Sequence, residues 1–76
     1  MAIVKVKLHS VLCRYGQSQV EEIDLPANTT VQQLMDRYGF APGEVGVVTV
    51  NGQLEGRDHS IGDDSVVEFY PVFGGG

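Results

Sequence analysis

Residues 25–39 read LPANTTVQQLMDRYG, and this stretch predicts the helix around which the rest of the fold is arranged. Its start is marked by Pro26–Asn28, which ends a preceding strand, and by Thr29–Thr30, whose hydroxyls suit an N-cap. Gln32–Gln33 provides the amide that completes a capping box in either register. Apolar side chains follow at i, i+3, i+4 and i+7, the spacing of one helical face. They are Val31, Leu34, Met35 and Tyr38. Gly39 supplies the stop, so we expect a short helix with one buried face.

A hairpin is expected before this helix. Residues 3–9 alternate between the two faces of a strand, with one apolar set pointing to the same side. That set is Val4, Val6 and Leu8. After a polar connection that contains residues 14–18, residues 20–25 alternate again, with Ile23 and Leu25 inward and carboxylates outward. The two segments predict the first two strands of the sheet.

Further strands are expected after the helix. Residues 45–50 form a β-branched run, which favours a strand buried on much of both faces. Asn51–Gly52 favours a type I′ hairpin turn, so residues 53–54 are expected to form a short returning strand. After a polar connection, residues 65–70 alternate once more and predict the last strand. Its inward residues are Val67 and Phe69.

Two strands, one helix and three further strands describe an α+β domain in which the helix packs on one face of a mixed sheet. This is the β-grasp, or ubiquitin-like, arrangement. A ferredoxin-like arrangement is discounted because it needs a second helix, whereas residues 55–64 show no helical stripe and contain two glycines. We therefore expect a β-grasp domain over residues 1–70 and a flexible C-terminal glycine tail over residues 71–76.

Composition narrows the function classes. Ten acidic and five basic residues give a net charge of −5, which argues against a nucleic-acid partner. The sequence has no apolar run of about 20 residues and no signal-peptide pattern, so we expect no membrane association and a cytoplasmic location. The single cysteine, Cys13, forms no internal disulfide, in keeping with a reducing compartment. His9 and His59 lack metal-ligand spacing, so no metal site is expected.

The chain ends with residues 71–76, which read PVFGGG. Six extended residues reach about 20 Å at roughly 3.3 Å per residue, and glycine suits a narrow channel because it has no Cβ. With several earlier segments, this ending resembles the sulfur-carrier members of the ubiquitin-like family. The likeness is greatest to the small subunit of molybdopterin synthase (MoaD) and weaker to the thiamine sulfur carrier (ThiS). The segments that carry it are KVKL at 5–8, LPANTTV at 25–31 leading to Leu34, VNG at 50–52, GDD at 62–64 and FYPVFGG at 69–75.

The resemblance implies a carrier protein that is a substrate of other enzymes and not an enzyme itself. A terminal carboxylate with a pKa of about 3.3–3.7 is ionised at neutral pH and is a poor acyl donor. In the family, an E1-like adenylating enzyme activates it, and a sulfur donor such as a cysteine desulfurase or rhodanese converts it to a thiocarboxylate. The catalytic large subunit of molybdopterin synthase then receives the sulfur. The chain has no Gly-rich Lys-Ser/Thr phosphate loop, so ATP and Mg²⁺ would be bound by the activating partner, with no cofactor on this chain.

The reacting residue implied by the resemblance is Gly76, with Gly75 as the alternative. The family ends at a glycine pair that aligns with residues 74–75, which leaves Gly76 as an extra residue. Either Gly76 is activated directly or a protease first exposes Gly75. The residues that lead to the terminus are expected to bind the partner. They are Tyr70, Pro71, Val72, Phe73 and Gly74. Ile3 and Val66 are expected to lie on the same outer sheet face as Tyr70 and to bind the partner with it.

Other functions remain open from the sequence. One is a ubiquitin-like protein modifier conjugated through Gly76, although only Lys5 and Lys7 are available to accept further copies, so polymers are not expected. Sulfur delivery to thiamine or to transfer RNA is another. A non-covalent interaction module, in which the glycines have no role, is the third.

Overall fold

The computed structural model describes residues 2–72. The strands are β1 (Ala2–Leu8), β2 (Val20–Leu25), β3 (Val45–Val50), β4 (Gln53–Leu54) and β5 (Val66–Pro71). The helix α1 is Val31–Tyr38, and a 3₁₀ helix, Ser10–Tyr15, joins β1 to β2. Within the described range, no helix is long and apolar enough to cross a membrane.

The five strands form one mixed sheet in the order β2-β1-β5-β3-β4. β1 is antiparallel to β2 and parallel to β5, and β3 is antiparallel to both β4 and β5. The apolar stripe of α1 packs against one face of this sheet, which we call the inner face; the opposite face is the outer face. The predicted β-grasp fold is confirmed.

The core lies between α1 and the inner face. Alternate residues of β1 and β5 meet the helical stripe there, and their side chains are almost fully removed from solvent. The fully buried set includes Val4, Val6, Leu8, Val31, Leu34, Val67 and Phe69. All of these were predicted to point inward from the alternation or from the helical spacing.

The helix termini also follow the prediction. Thr30 is the N-cap: its side chain accepts a hydrogen bond from the Gln33 N–H, and the Gln33 side chain accepts one from the Thr30 N–H. Gly39 closes the helix with φ +73°, a left-handed conformation that costs glycine little. Of the two registers allowed by the sequence, the structure selects Thr30.

The two polar connections contain more structure than predicted. The first holds the 3₁₀ helix, in which Leu12 is fully buried. The second packs against the start of α1, where the carbonyls of His59 and Arg57 accept the N–H groups of Val31 and Gln32. Ile61 from the same connection is also buried. Backbone groups at the helix start are thus satisfied by a loop as well as by the cap.

Three strand predictions need correction. β1 spans Ala2–Leu8, one residue earlier at each end than the expected residues 3–9. β3 is buried on one face only, because α1 covers just the inner face, and Val47 on the outer face is 43% exposed. β5 begins at Val66 and ends at Pro71, one residue later at each end than expected. Of the predicted tail, residues Phe73 to Gly76 lie outside the described residues.

Candidate functional site

The C-terminal end of β5 is held by the segment that precedes and begins β3. Pro71 is buried and pairs with Val45, and the N–H of Val72 donates a hydrogen bond to the carbonyl of Glu44 at 3.2 Å. A Cβ on Gly46 would lie 3.1 Å from the Pro71 carbonyl oxygen and from the Val72 Cα. Glycine at this position therefore permits a close backbone approach. We call Glu44, Gly46, Pro71 and Val72 the tail root.

A polar cluster surrounds the Glu44 side chain at the tail root. Its carboxylate accepts a 2.6 Å hydrogen bond from the Tyr15 hydroxyl at Oε2 and pairs with the Arg14 guanidinium at Oε1. The Arg14 guanidinium also lies over the Tyr15 ring, 5.2 Å from its centroid. The Glu44 side chain is only 14% exposed, and each of its carboxylate oxygens has a hydrogen-bonding partner.

A second cluster lies on the outer face near the tail root. His9 stacks on Tyr70, with ring centroids 4.2 Å apart and planes 7° from parallel. One carboxylate oxygen of Glu68 contacts His9 Nε2 at 2.9 Å and accepts a hydrogen bond from the Tyr70 hydroxyl at 3.1 Å. The three side chains restrain one another, so the Tyr70 ring is held in one orientation.

The hydrogen bond with His9 lowers the pKa of Glu68, an effect that partial burial opposes and the Tyr70 hydroxyl and Lys7 reinforce. Burial, together with the hydrogen bond to Glu68, raises the pKa of Tyr70. At neutral pH the cluster therefore contains a carboxylate acceptor and a neutral phenol donor.

The outer face carries apolar residues at both ends and charge between them. Tyr70 pairs with Val47 at the tail end, and Val72 beside them is 54% exposed. Ile3 at the opposite end is 56% exposed. The pair formed by Lys7 and Glu68 lies between these ends, so the predicted apolar surface of Ile3, Val66 and Tyr70 is not continuous. The part next to the tail root is the end formed by Tyr70, Val47 and Val72.

The predicted partner-binding residues fall into three groups. Tyr70 is half-buried on the outer face and Pro71 is buried in the strand, whereas Val72 is exposed just beyond it. Phe73 and Gly74, like the predicted reacting residues Gly75 and Gly76, lie outside the described residues. The structure thus brings Tyr70 and Val72 to one end of the outer face and uses Pro71 to pair β5 with β3.

Several residues at this end were not singled out in the sequence. The position of Glu68 beside Tyr70 could have been predicted from alternation alone, since it lies two positions earlier on the same face. His9 was weighed only as a metal ligand, and the parallel pairing of β1 with β5 is what brings it to Tyr70. No local pattern indicates Glu44 or Gly46, because their contacts join segments about 30 residues apart.

The structure also shows where the histidine, cysteine and aspartate candidates lie. No cluster of three or more His, Cys, Asp or Glu side chains in residues 2–72 is placed to hold a metal ion. Cys13 is exposed on the 3₁₀ helix. Asp63 and Asp64 shape a turn: an Asp63 carboxylate oxygen accepts the Ile3 N–H at 2.9 Å, and Asp64 has φ +65°.

Comparison with known families identifies the family to which the chain belongs. A sequence model of the ThiS family matches residues 13–76. The chain belongs to the ThiS family. The sulfur-carrier resemblance seen in the sequence is confirmed by this match, which extends over the glycine run as well as most of the folded domain. No curated protein matches the chain significantly.

Solved structures place this ThiS-family chain among ubiquitin-like proteins. A Pyrococcus furiosus protein named "Putative molybdopterin converting factor, subunit 1" is 26% identical, with a TM-score of 0.79 over 93% of this chain and 98% of the other. Small archaeal modifier protein 1 from Haloferax volcanii is 17% identical, with a TM-score of 0.76 over 99% of this chain and 100% of the other. The second likeness shows a common fold alone.

Proposed function

We propose that this ThiS-family chain is a cytoplasmic sulfur carrier for molybdopterin biosynthesis, in which the C-terminal glycine is adenylated and then converted to a thiocarboxylate. The observation that carries the proposal is the family match, because it runs through Gly76 and so includes the residues that would react. The 26% identity to the Pyrococcus furiosus protein supports the molybdopterin pathway over thiamine or transfer RNA.

The chemistry requires a partner that activates the carboxylate. A carboxylate oxygen attacks the α-phosphorus of ATP, pyrophosphate leaves, and the resulting acyl adenylate has AMP as a good leaving group. A sulfur nucleophile from the donor protein forms the C–S bond as the bond to AMP breaks. When that nucleophile is a persulfide, a second thiol of the donor system cleaves the acyl disulfide and releases the thiocarboxylate. ATP and Mg²⁺ belong to the activating enzyme in this scheme.

The folded domain contributes recognition and placement. Tyr70 and Val72 present apolar surface beside the tail root, and Tyr70 is oriented by its contacts with His9 and Glu68. A preorientated aromatic side chain loses little conformational entropy on binding, which favours its use as an interface anchor. We assign the same partner-binding role to Phe73 and Gly74, which continue the chain toward the reacting glycine.

A pyrophosphate exchange assay with the activating enzyme tests the proposal. Wild type is compared with Gly75→Val, a form that lacks Gly76, and Gly56→Val as the matched control. Gly56 is exposed in a loop, and a Cβ there would meet no atom within 4 Å. The branched side chain at Gly75 obstructs a channel that admits backbone, and a misplacement of about 1 Å costs on the order of a hundredfold in rate.

We expect Gly75→Val to lower exchange by about a hundredfold or more with an unchanged melting temperature, and Gly56→Val to react like wild type. Activity of wild type identifies Gly76 as the acyl donor, whereas activity of the shortened form alone identifies Gly75. Full activity of Gly75→Val would contradict the proposal. Conjugation of the chain to lysines of other proteins, with no thiocarboxylate, would instead identify a protein modifier.

A further inference from the structure

We propose that the Glu44 side chain is a positioning residue that determines where the tail leaves the domain. The inference rests on the proposed function, because it assumes that a partner enzyme must receive the tail. Glu44 contacts two parts of the domain at once: its carboxylate binds the 3₁₀ helix, and its carbonyl accepts the N–H of Val72. Through this residue, the first connection between β1 and β2 is linked to the end of β5.

Glu44 lies between two glycines, in a backbone segment held by two further contacts: the Glu44 N–H donates to the Ala41 carbonyl at 3.1 Å, and Val45 pairs with Pro71 and packs on the core. Gly43 adopts φ +77°, and Gly46 lies at a register shift in the pairing of β3 with β5. Neither glycine has a side chain to pack, and Gly46 is exposed. The Glu44 carboxylate adds two side-chain interactions to the packing of Val45 in this short segment, and hydrogen bonds to charged groups are the stronger kind.

The other side of the cluster is fixed to the core. The Tyr15 ring packs edge-on against Phe40, with centroids 4.9 Å apart, and Phe40 packs in turn against Phe69 at 5.1 Å. The Tyr15 hydroxyl also accepts a 3.4 Å hydrogen bond from the N–H of Ala41. The Glu44 carboxylate is thus bound to a part of the domain that packs on the core, and the Glu44 carbonyl links Val72 to that same part.

The attachment of Val72 to the domain determines how the reacting glycine is presented to a partner enzyme. With Val72 anchored, four residues follow it, from Phe73 to Gly76. Release of Pro71 and Val72 would move the point of attachment to the sheet two residues back along the chain, or about 7 Å at roughly 3.3 Å per residue. A longer tether lowers the effective concentration of the terminus at a docked active site, which raises KM while the chemistry itself, and hence kcat, is unchanged.

Glu44→Ala tests this role, with Glu55→Ala as the control. Glu55 also has a carboxylate in contact with a polar side chain, His59 Nδ1 at 3.3 Å, but it lies in the second connection, whose carbonyls bind the start of α1. The measurements are hydrogen exchange at the Val72 N–H, melting temperature, and KM and kcat for adenylation. Glu44→Gln is the conservative variant, because its amide oxygen still accepts from the Tyr15 hydroxyl.

We expect Glu44→Ala to accelerate Val72 exchange by about tenfold or more and to raise KM by roughly two- to tenfold with kcat unchanged. Glu44→Gln should recover part of both effects, and Glu55→Ala should show neither. Unchanged Val72 exchange and unchanged KM in Glu44→Ala would overturn the inference.

A second variant keeps the test decisive if Glu44→Ala fails to fold. Gly46→Ala places a Cβ against Pro71 and Val72 without touching the carboxylate, so it should also accelerate Val72 exchange and raise KM. Normal values of both would overturn the inference. If neither wild type nor the form that lacks Gly76 is adenylated, the proposed function fails, while Val72 exchange still shows whether Glu44 anchors the tail root.

Discussion

Replacing Leu34 with alanine tests whether the helix carries the core in the way the fold requires. Leu34 is fully buried at the centre of the α1 stripe, between Val31 and Met35. Truncation removes its apolar contacts and leaves a cavity, for which core leucines lose about 2–5 kcal/mol. At roughly 0.05–0.15 kcal/mol per residue, a chain of this length has about 4–11 kcal/mol of total stability. The variant should therefore lose a large part of its free energy of unfolding.

Urea unfolding followed by circular dichroism measures the loss, and the chain provides a matched control. Leu54 in β4 is 73% exposed, so Leu54→Ala should change the free energy of unfolding by no more than about 0.5 kcal/mol. The melting temperature of Leu34→Ala should fall by at least about 8 °C, since 1 kcal/mol corresponds to about 4–8 °C in a domain of this size. A loss below about 1 kcal/mol for Leu34→Ala, or equal losses in the two variants, would refute the packing described for α1.

Two further predictions concern the outer face. Tyr70→Ala should weaken binding to the activating enzyme by about tenfold or more while the domain stays folded, because it removes the oriented aromatic beside the tail root. Titration calorimetry measures this, with Val20→Ala on the edge strand β2 as the control, and equal affinities in all three proteins would remove Tyr70 from the interface. Glu68→Gln should reduce the acid sensitivity of the fold. The hydrogen bond with His9 lowers the pKa of Glu68 below its ordinary 4.5, so its stabilising contribution is present above that pH and is lost as the pH falls through the lower, folded-state pKa. Unfolding free energies at pH 7 and pH 3 should therefore differ more in wild type than in Glu68→Gln. An identical pH dependence would contradict the hydrogen bond described between Glu68 and His9.

The helix was predictable from the sequence because its signals are local. Its N-cap, its capping partner Gln33, its apolar stripe and the terminating Gly39 all lie within ten consecutive residues. The hairpin turn at Asn51–Gly52 was predictable for the same reason, and both residues adopt the positive φ values, +53° and +83°, that a type I′ turn needs.

The remaining features depend on contacts that no short pattern contains. Leu12 and Ile61 lie within connections that show no strand or helix pattern, and the packing of those connections on the core buries them. β3 was expected to be buried on both faces because its residues are β-branched, yet a single helix can cover only one side of the sheet. The Glu44 cluster joins residues about 30 positions apart, and its link to Val72 spans a similar distance along the chain.

The most direct test of the proposed function is the intact mass of the chain purified from cells that make its partner enzymes. A sulfur carrier should contain a species heavier than the carboxylate form by the difference between one sulfur and one oxygen atom. Fragmentation should locate that difference at the terminal glycine, whether Gly76 or a processed Gly75. A chain recovered entirely as the carboxylate, or attached to other proteins without any thiocarboxylate, would contradict the proposal.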